Sequence, residues 1–347
     1  MTWLAALHAV FSCCLLLFVV SYDETKTDVF QRFEDYIRKF NKSYHPGTVE
    51  FTKRESIFEQ TLKRINWLNK NGNFTQSTVY GINQFSEMTP EEFIRYVHLA
   101  KVDVPADKLP KKSSLYPRSM KLRANRNIRD QLPQRVDWRE KKVVTPVNNQ
   151  EECGACWAFS TVETIETMYA LKTGQLEQWS VQQVIDCAAK PDNGCEGGDT
   201  CLTINWLYED KVKLVPAKDY PFDGKTGTCK EKVTSDTTVQ VARNFTCDSF
   251  VGEEDLMLLH LAYHGPLIAA VDATGWQDYL GGIIQFHCDA ERNHAVQIVG
   301  YDLKSDIPYY IVRNSWGTQF GNDGYLYIAI GKNMCRIAEE VSSVDVL

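Results

Sequence analysis

The chain has 347 residues and a formal charge of −7, with 44% apolar and 24% charged residues. This ordinary globular balance excludes a disordered or fibrous class, and the acidic excess argues against general nucleic-acid binding. The length allows a sizeable core and more than one folding unit.

Residues 4–20 are apolar apart from His8, Ser12 and small residues, and Ser21, Tyr22, Asp23 and Glu24 follow. A run of about 17 is short for a membrane span and suits the core of a secretory signal peptide. Val19 and Ser21 fit cleavage after Ser21, although no Lys or Arg precedes the run; an uncleaved anchor is the alternative. Secretion means an oxidising compartment in which cysteines pair. Loss of Cys13 and Cys14 with the leader leaves nine of the 11 cysteines, an odd number that flags one unpaired thiol. Sequons at Asn41, Asn73 and Asn244 are candidate glycosylation sites.

Asp28 to Phe40 and Glu50 to Asn69 carry apolar residues at helical spacing and predict two amphipathic helices. Tyr80 to Phe85 alternates like a strand. Thr89, Pro90 and Glu92 then form a capping box that starts a third helix. Residues 101–131 hold three prolines, nine Lys or Arg and three Asp, the composition of an exposed basic linker open to proteolysis. From Leu132 onward the first half reads as helical: an amphipathic helix over 156–173 stopped at Gly174, a capping box at Ser180 to Gln183, and a helix from Leu202 to Tyr208. The second half is rich in Val, Ile and Tyr and predicts strands at 266–271, 295–301, 309–313 and 325–330.

The stretch Cys153-Gly-Ala-Cys156-Trp157 places a second cysteine at the start of the 156–173 helix. A thiol there sits among unpaired backbone N–H groups that favour the thiolate. A disulfide partner, a redox dithiol and half of a zinc site are the other readings of the spacing. A reactive cysteine also needs a base, a group that orients the base, and donors for an oxyanion. His294 opens a strand, Asn314 ends another, and Gln150 lies six residues before Cys156.

With Leu132 to Trp138, Val144 to Val147, Cys153 to Ser160, Cys195 to Gly198, Asn293 to Tyr301 and Asn314 to Gly317, these residues form a recognisable set. The chain resembles the papain-like cysteine proteases over nearly its whole length after the leader. The resemblance implies an α+β fold of two lobes, one helical and one an antiparallel β-barrel, preceded by a helical propeptide. Residues 1–21 would be the signal peptide, 22–131 an inhibitory propeptide including the linker, and 132–347 the mature peptidase. It implies Cys156 as nucleophile, His294 as its ion-pair partner and proton donor, and Asn314 as the group that orients His294. Gln150 and the Cys156 N–H would form the oxyanion hole, and Trp316 would shield the His–Asn hydrogen bond. Gly198 and Asn293 would bind substrate backbone, with Asp199, Thr200, Ala270, Arg292 and Glu340 around the pocket for the second residue before the scissile bond. The implied disulfides are Cys153–Cys195, Cys187–Cys229 and Cys288–Cys335. Cys201 and Cys247 are left either as a fourth bridge or as two free thiols.

Glu50, Arg54, Phe58, Ile65 and Asn69 resemble the interrupted-helix pattern of the family's propeptides, with Thr61 where Asn is usual. Gly81, Asn83, Phe85 and Glu87 resemble the short motif that follows, with Glu for Asp. Such a propeptide runs through the cleft in the non-cleavable direction, and a plain helical domain is the alternative. The implied protein is a monomeric zymogen of a lysosomal or secreted endopeptidase that breaks down proteins within the cell. Its partners would be peptide and protein substrates, its own propeptide and cystatin-type inhibitors, with no cofactor, metal, nucleic acid or, after the leader, membrane. A peptide-binding member without activity is the competing class. Three departures stand out: Glu151 for the glycine after the oxyanion glutamine, Phe320 for a second Trp, and a cation and an anion, Arg292 and Glu340, in a normally apolar pocket.

Overall fold

The computed structural model describes residues 28–71, 79–96, 129–230, 233–288 and 290–347. The expected signal peptide, most of the expected basic linker and the Asn73 sequon lie outside the described residues. Asn41 and Asn244 are both exposed.

The N-terminal unit is built from α1 (28–39), α2 (Val49–Asn71), the short strand β1 (Val79–Tyr80) and α3 (Pro90–Tyr96). Helices α1 and α2 join through aromatic side chains: Phe33 packs edge-on against Phe51 at 5.2 Å and beside Phe58 at 5.3 Å. The alternating segment 80–85 yields only β1, because Asn83 turns the chain. Its Oδ1 accepts from the Phe85 N–H, and its own N–H donates to Ser86 Oγ. The capping box forms in full: Glu92 N–H donates to Thr89 Oγ1, and Thr89 N–H donates to Glu92 Oε2.

After β2 (Arg135–Asp137), the helical lobe contains α4 (Cys156–Thr173), α5 (Val181–Cys187) and α6 (Thr200–Glu209). Helix α4 is buried on nearly every face, so the amphipathic reading of 156–173 is corrected. Its polar positions are tolerated because Thr161, Thr164 and Thr167 hydroxyls donate back to carbonyls four residues earlier. Gly174 ends it at φ 75°, a left-handed cap. At α5 only half of the expected capping box appears. Ser180 Oγ accepts from the Gln183 N–H, but the Gln183 side chain binds Lys213 and Val215 instead of turning back.

The sheet lobe follows, with β3 (Thr246–Asp248), α7 (Glu254–Tyr263), β4 (Leu267–Val271), β5 (Tyr279–Gly281), β6 (Ile283–Ile284), β7 (His294–Asp302), β8 (Tyr309–Arg313), β9 (Tyr325–Ala329) and β10 (Val341–Ser343). The strand order is β3-β10-β4-β7-β8-β9-β6, with β2 also on β7, and every pairing except β6–β9 is antiparallel. The fold is α+β and two-lobed, with one core between α4, α5 and α6 and a larger one between α7 and the sheet. Disulfides join Cys153 to Cys195, Cys187 to Cys229, Cys201 to Cys247 and Cys288 to Cys335.

Candidate active site

Helix α4 and strand β7 are keyed together where the lobes meet. The Gln297 amide donates to Glu163 O at 3.1 Å and lies 3.2 Å from Thr167 Oγ1. Counting back seven residues along α4 from Glu163 reaches Cys156, about 10 Å away. Three residues back along β7 reach His294, also about 10 Å away. The two elements run in the same sense, so one polar contact in the core aligns thiol and imidazole at their N-terminal ends. The backbone N–H of Ala295, next to His294, favours the Cys156 thiolate.

Among the described residues Cys156 is the one free cysteine, and it is fully buried. Burial pushes its thiol up to about 12, against the opposing pull of the Ala295, Trp157 and Cys156 N–H groups. Burial likewise pushes His294 down to about 4, with the Asn314 hydrogen bond opposing it. His294 Nε2 lies 2.7 Å from Asn314 Oδ1, while Nδ1 has no hydrogen-bond partner. An imidazole held through Nε2–H presents a bare Nδ1, the atom that can take or return a proton. The Trp316 ring lies 4.7 Å from the imidazole, and Trp276 stands edge-on at 6.1 Å. Both exclude water from the His–Asn bond.

Gln150 is buried, and its amide has a fixed orientation. Its Oε1 accepts from Ser315 Oγ at 2.6 Å, and its Nε2 donates to Cys153 O at 3.0 Å. One amide N–H therefore remains for a further acceptor. Ser315 is a residue that sequence reasoning passes over; its place beside Asn314 is the available signal. Glu151 adopts φ 54°, the left-handed region that favours glycine, and its N–H is taken by Asn149 Oδ1. Gly198 is required for another reason: a Cβ there would stand 2.6 Å from the Trp157 ring.

The remaining predicted residues form a second group beside this centre. Val271 is opposite His294 and Ala270 opposite Ala295, and Asn293 N–H donates to Val271 O. The Asn293 side chain binds Ala273 N and Thr274 Oγ1. Asp199 caps α6 through the Leu202 N–H, and Thr200 is buried behind it. Arg292 pairs with Glu340 and reaches Glu339 at 3.6 Å. The cation and anion therefore pair. Burial, then the nearby Glu340, raises Asp199 to about 6.

On the other side of the centre the N-terminal unit covers the protein. Strand β1 pairs with β5, Asn83 Nδ2 donates to Gln277 O at 2.7 Å, and Gln84 Nε2 donates to Trp316 O at 2.7 Å. Phe85 and Phe93 both stand edge-on to Trp316 at 5.5 Å. Arg64 makes a two-point ion pair with Asp278 at 2.6 and 3.0 Å. Phe320 fills the floor, 4.7 Å from Trp316. A cavity of about 430 Å³ remains between Phe85, Met88 and Tyr96 on one wall and Asn149, Glu151, Glu152 and Trp316 on the other.

A free thiol at a helix N-terminus, a bare imidazole nitrogen and an N-terminal unit packed over Trp316 define a cysteine-type endopeptidase in its propeptide-bearing form. Residues 132–344 match the family described as papain family cysteine protease, and residues 33–93 match the cathepsin propeptide inhibitor domain. The chain belongs to the papain family. It is similar to cathepsin O of Homo sapiens, 44% identical over 85% of this chain and 88% of that protein. It is also similar to cathepsin O of Mus musculus, 42% identical over 85% and 90%. Among solved structures it resembles digestive procathepsin L2 from the larval midgut of Tenebrio molitor, with a TM-score of 0.78 and 29% identity over 91% of this chain and 99% of that one.

Proposed function

We propose that Cys156 and His294 hydrolyse peptide bonds through an acyl-enzyme. The observation that carries this reading is the free Cys156 thiol beside an imidazole whose Nε2 is committed to Asn314 and whose Nδ1 is bare. The thiolate adds to the scissile carbonyl. The Cys156 N–H and the free Gln150 amide N–H receive the oxyanion, and imidazolium protonates the leaving amine. Water activated by the same imidazole then cleaves the thioester. The buried, covered pair favours neutral thiol and imidazole. Removing the N-terminal unit brings water to the cleft and lets the thiolate–imidazolium pair form. Gln150→Ala is expected to lower kcat by about 10²–10³-fold with KM little changed; steady-state kinetics on a peptide amide checks this, and an unchanged kcat removes Gln150 from the oxyanion hole.

Residues 22–131 act as the inhibitor and 132–347 as the mature enzyme, working in the lysosome or outside the cell. Cystatin-type inhibitors would compete for the opened cleft. Acid releases the inhibitor through α3. Burial opposes ionisation of Glu92, but the Thr89 N–H and the Arg54 guanidinium outweigh it and hold the carboxyl below its ordinary 4.5. A carboxylate with a lowered folded value stabilises the docked helix above its unfolded value, and that contribution disappears as pH falls through the folded one. The proenzyme is expected to mature between about pH 4 and 5.5, with Glu92 acting in the lower part of that window, below its ordinary 4.5, and Glu92→Gln to shift maturation toward higher pH. Processing followed by mass on gels over a pH series tests this; an unshifted profile for Glu92→Gln would rule out this trigger.

A further inference from the structure

The Cys201–Cys247 bridge joins α6 of the helical lobe to β3 of the sheet lobe. Cys201 is the second residue of α6, directly after Asp199 and Thr200. Cys247 is the middle residue of β3 and lies opposite Ser342 of β10. Strand β10 begins immediately after Glu340, whose carbonyl accepts from the Ala270 N–H at 3.0 Å. Ala270 in turn lies opposite Ala295, the neighbour of His294. The bond thus ties the first turn of α6, which follows Asp199, to β3, and the pairing of β3 with β10 and the Ala270–Glu340 hydrogen bond carry the link to the sheet wall, where Arg292 pairs with Glu340. Ser342 Oγ sits 3.2 Å from the Cys201 sulfur and 3.5 Å from the Cys247 sulfur, at the base of both walls.

The cluster needs such a tie. A carboxylate oxygen of Asp199, one of Glu340 and the Cys201 sulfur all lie within 4.8 Å of one another. Like charges at that separation repel, and a single guanidinium, Arg292, serves both acids. Apolar packing through Ile204 and Leu207 holds the later turns of α6. The first turn, which carries the pocket residues, is tied to its own lobe by Asp192, which accepts from the Asp199 N–H and the Thr203 hydroxyl, and to the sheet lobe by the bridge.

We propose that the Cys201–Cys247 bridge is a specificity-determining clamp. It sets the spacing of the two walls that receive the second side chain before the scissile bond, and so determines which side chains they accept. This inference rests on the reading of Cys156 as nucleophile and of Asp199, Thr200, Ala270, Arg292 and Glu340 as the pocket beside it. It assigns a role to two cysteines that the chemistry at Cys156 and His294 does not use.

The test compares matured wild type with the Cys201→Ser/Cys247→Ser and Cys201→Ala/Cys247→Ala variants. One substrate pair differs only in the second residue before the scissile bond, leucine against arginine. A control pair differs only in the residue after that bond. A ratio of kcat/KM values does not depend on the fraction of protein that has folded, so partial folding of a variant leaves the comparison intact. The expected result is that the leucine-to-arginine ratio moves toward one by about threefold or more in both variants, while the control ratio stays within that factor. A smaller change, or an equal change in both ratios, overturns the clamp while the peptidase reading stands. Absence of turnover in the wild type overturns both.

Discussion

Cys156→Ala in the matured protein is expected to reduce peptide hydrolysis by about 10⁴-fold or more, with an unchanged fold. The size follows from the number of steps the sulfur serves. In the proposed mechanism it forms the acyl bond, carries the intermediate and, as thiolate, supplies the charge that keeps His294 protonated for the leaving amine. No other described cysteine can replace it, since the other eight are bridged. The change removes one sulfur from a packed position, and Trp157, Ala158 and the Gln297–Glu163 contact keep α4 in place. Rates on a fluorogenic peptide with thermal unfolding of the same sample check both halves. Appreciable turnover in a Cys156→Ala sample free of wild type would refute the assigned nucleophile.

The largest stability effect is expected at Arg313. Its fully buried guanidinium lies 3.2 Å from Glu163 and donates to Thr145 Oγ1 at 3.1 Å. Glu166, also buried, accepts from the Trp179 N–H at 2.9 Å and from the Thr145 hydroxyl. Two carboxyls therefore share one cation inside the interface between α4 and the sheet. Arg313→Met leaves both acids without a counter-ion and should cost about 3–5 kcal/mol in unfolding free energy. Chemical denaturation at pH 7 measures this, and a loss below about 1 kcal/mol would show that the acids find other compensation.

The same cluster gives a pH dependence of definite sign. Burial raises Glu166 to about 7 from an ordinary 4.5, in spite of Arg313 and Thr145, and burial raises Glu163 too. A carboxyl with a raised folded value binds its proton more tightly in the native state. Stability is then full below the unfolded value and falls as pH rises from about 4.5 to about 7. For a fully buried group the loss is of order 3 kcal/mol. Calorimetry of the matured protein should show a melting temperature that decreases by several degrees between pH 5 and pH 7.5. In Glu166→Gln that decrease should be smaller; an identical slope would locate the titration elsewhere.

This cluster also marks where sequence reading stopped. The 309–313 segment is legible as a strand, but a charge at its end, next to Asn314, carries no local sign of burial. Nothing nearby in the chain says that Arg313 meets two glutamates from a helix about 150 residues earlier. Glu163 and Glu166 make α4 look amphipathic for the same reason: their partner is tertiary. Local chemistry is readable where the answer is local. The Thr89–Glu92 capping box and the Gly174 stop depend on contacts within a few residues, though alternation at 80–85 overstates the strand that Asn83 interrupts. The site is legible through resemblance, because Gln150, Cys156, His294 and Asn314 are brought together only by the meeting of two lobes. What sequence spacing does not contain is orientation: Ser315 setting the Gln150 amide, Trp276 closing the far side of His294, and Arg292 turned onto Glu340 rather than into solvent.

The most direct measurement is to treat the acid-matured protein with an epoxide cysteine-protease inhibitor, then locate the adduct by peptide mass spectrometry while following hydrolysis. The predicted result is a single adduct on Cys156 that forms in step with loss of peptide hydrolysis. An adduct on another residue, or hydrolysis that persists after Cys156 is fully modified, would contradict the assignment.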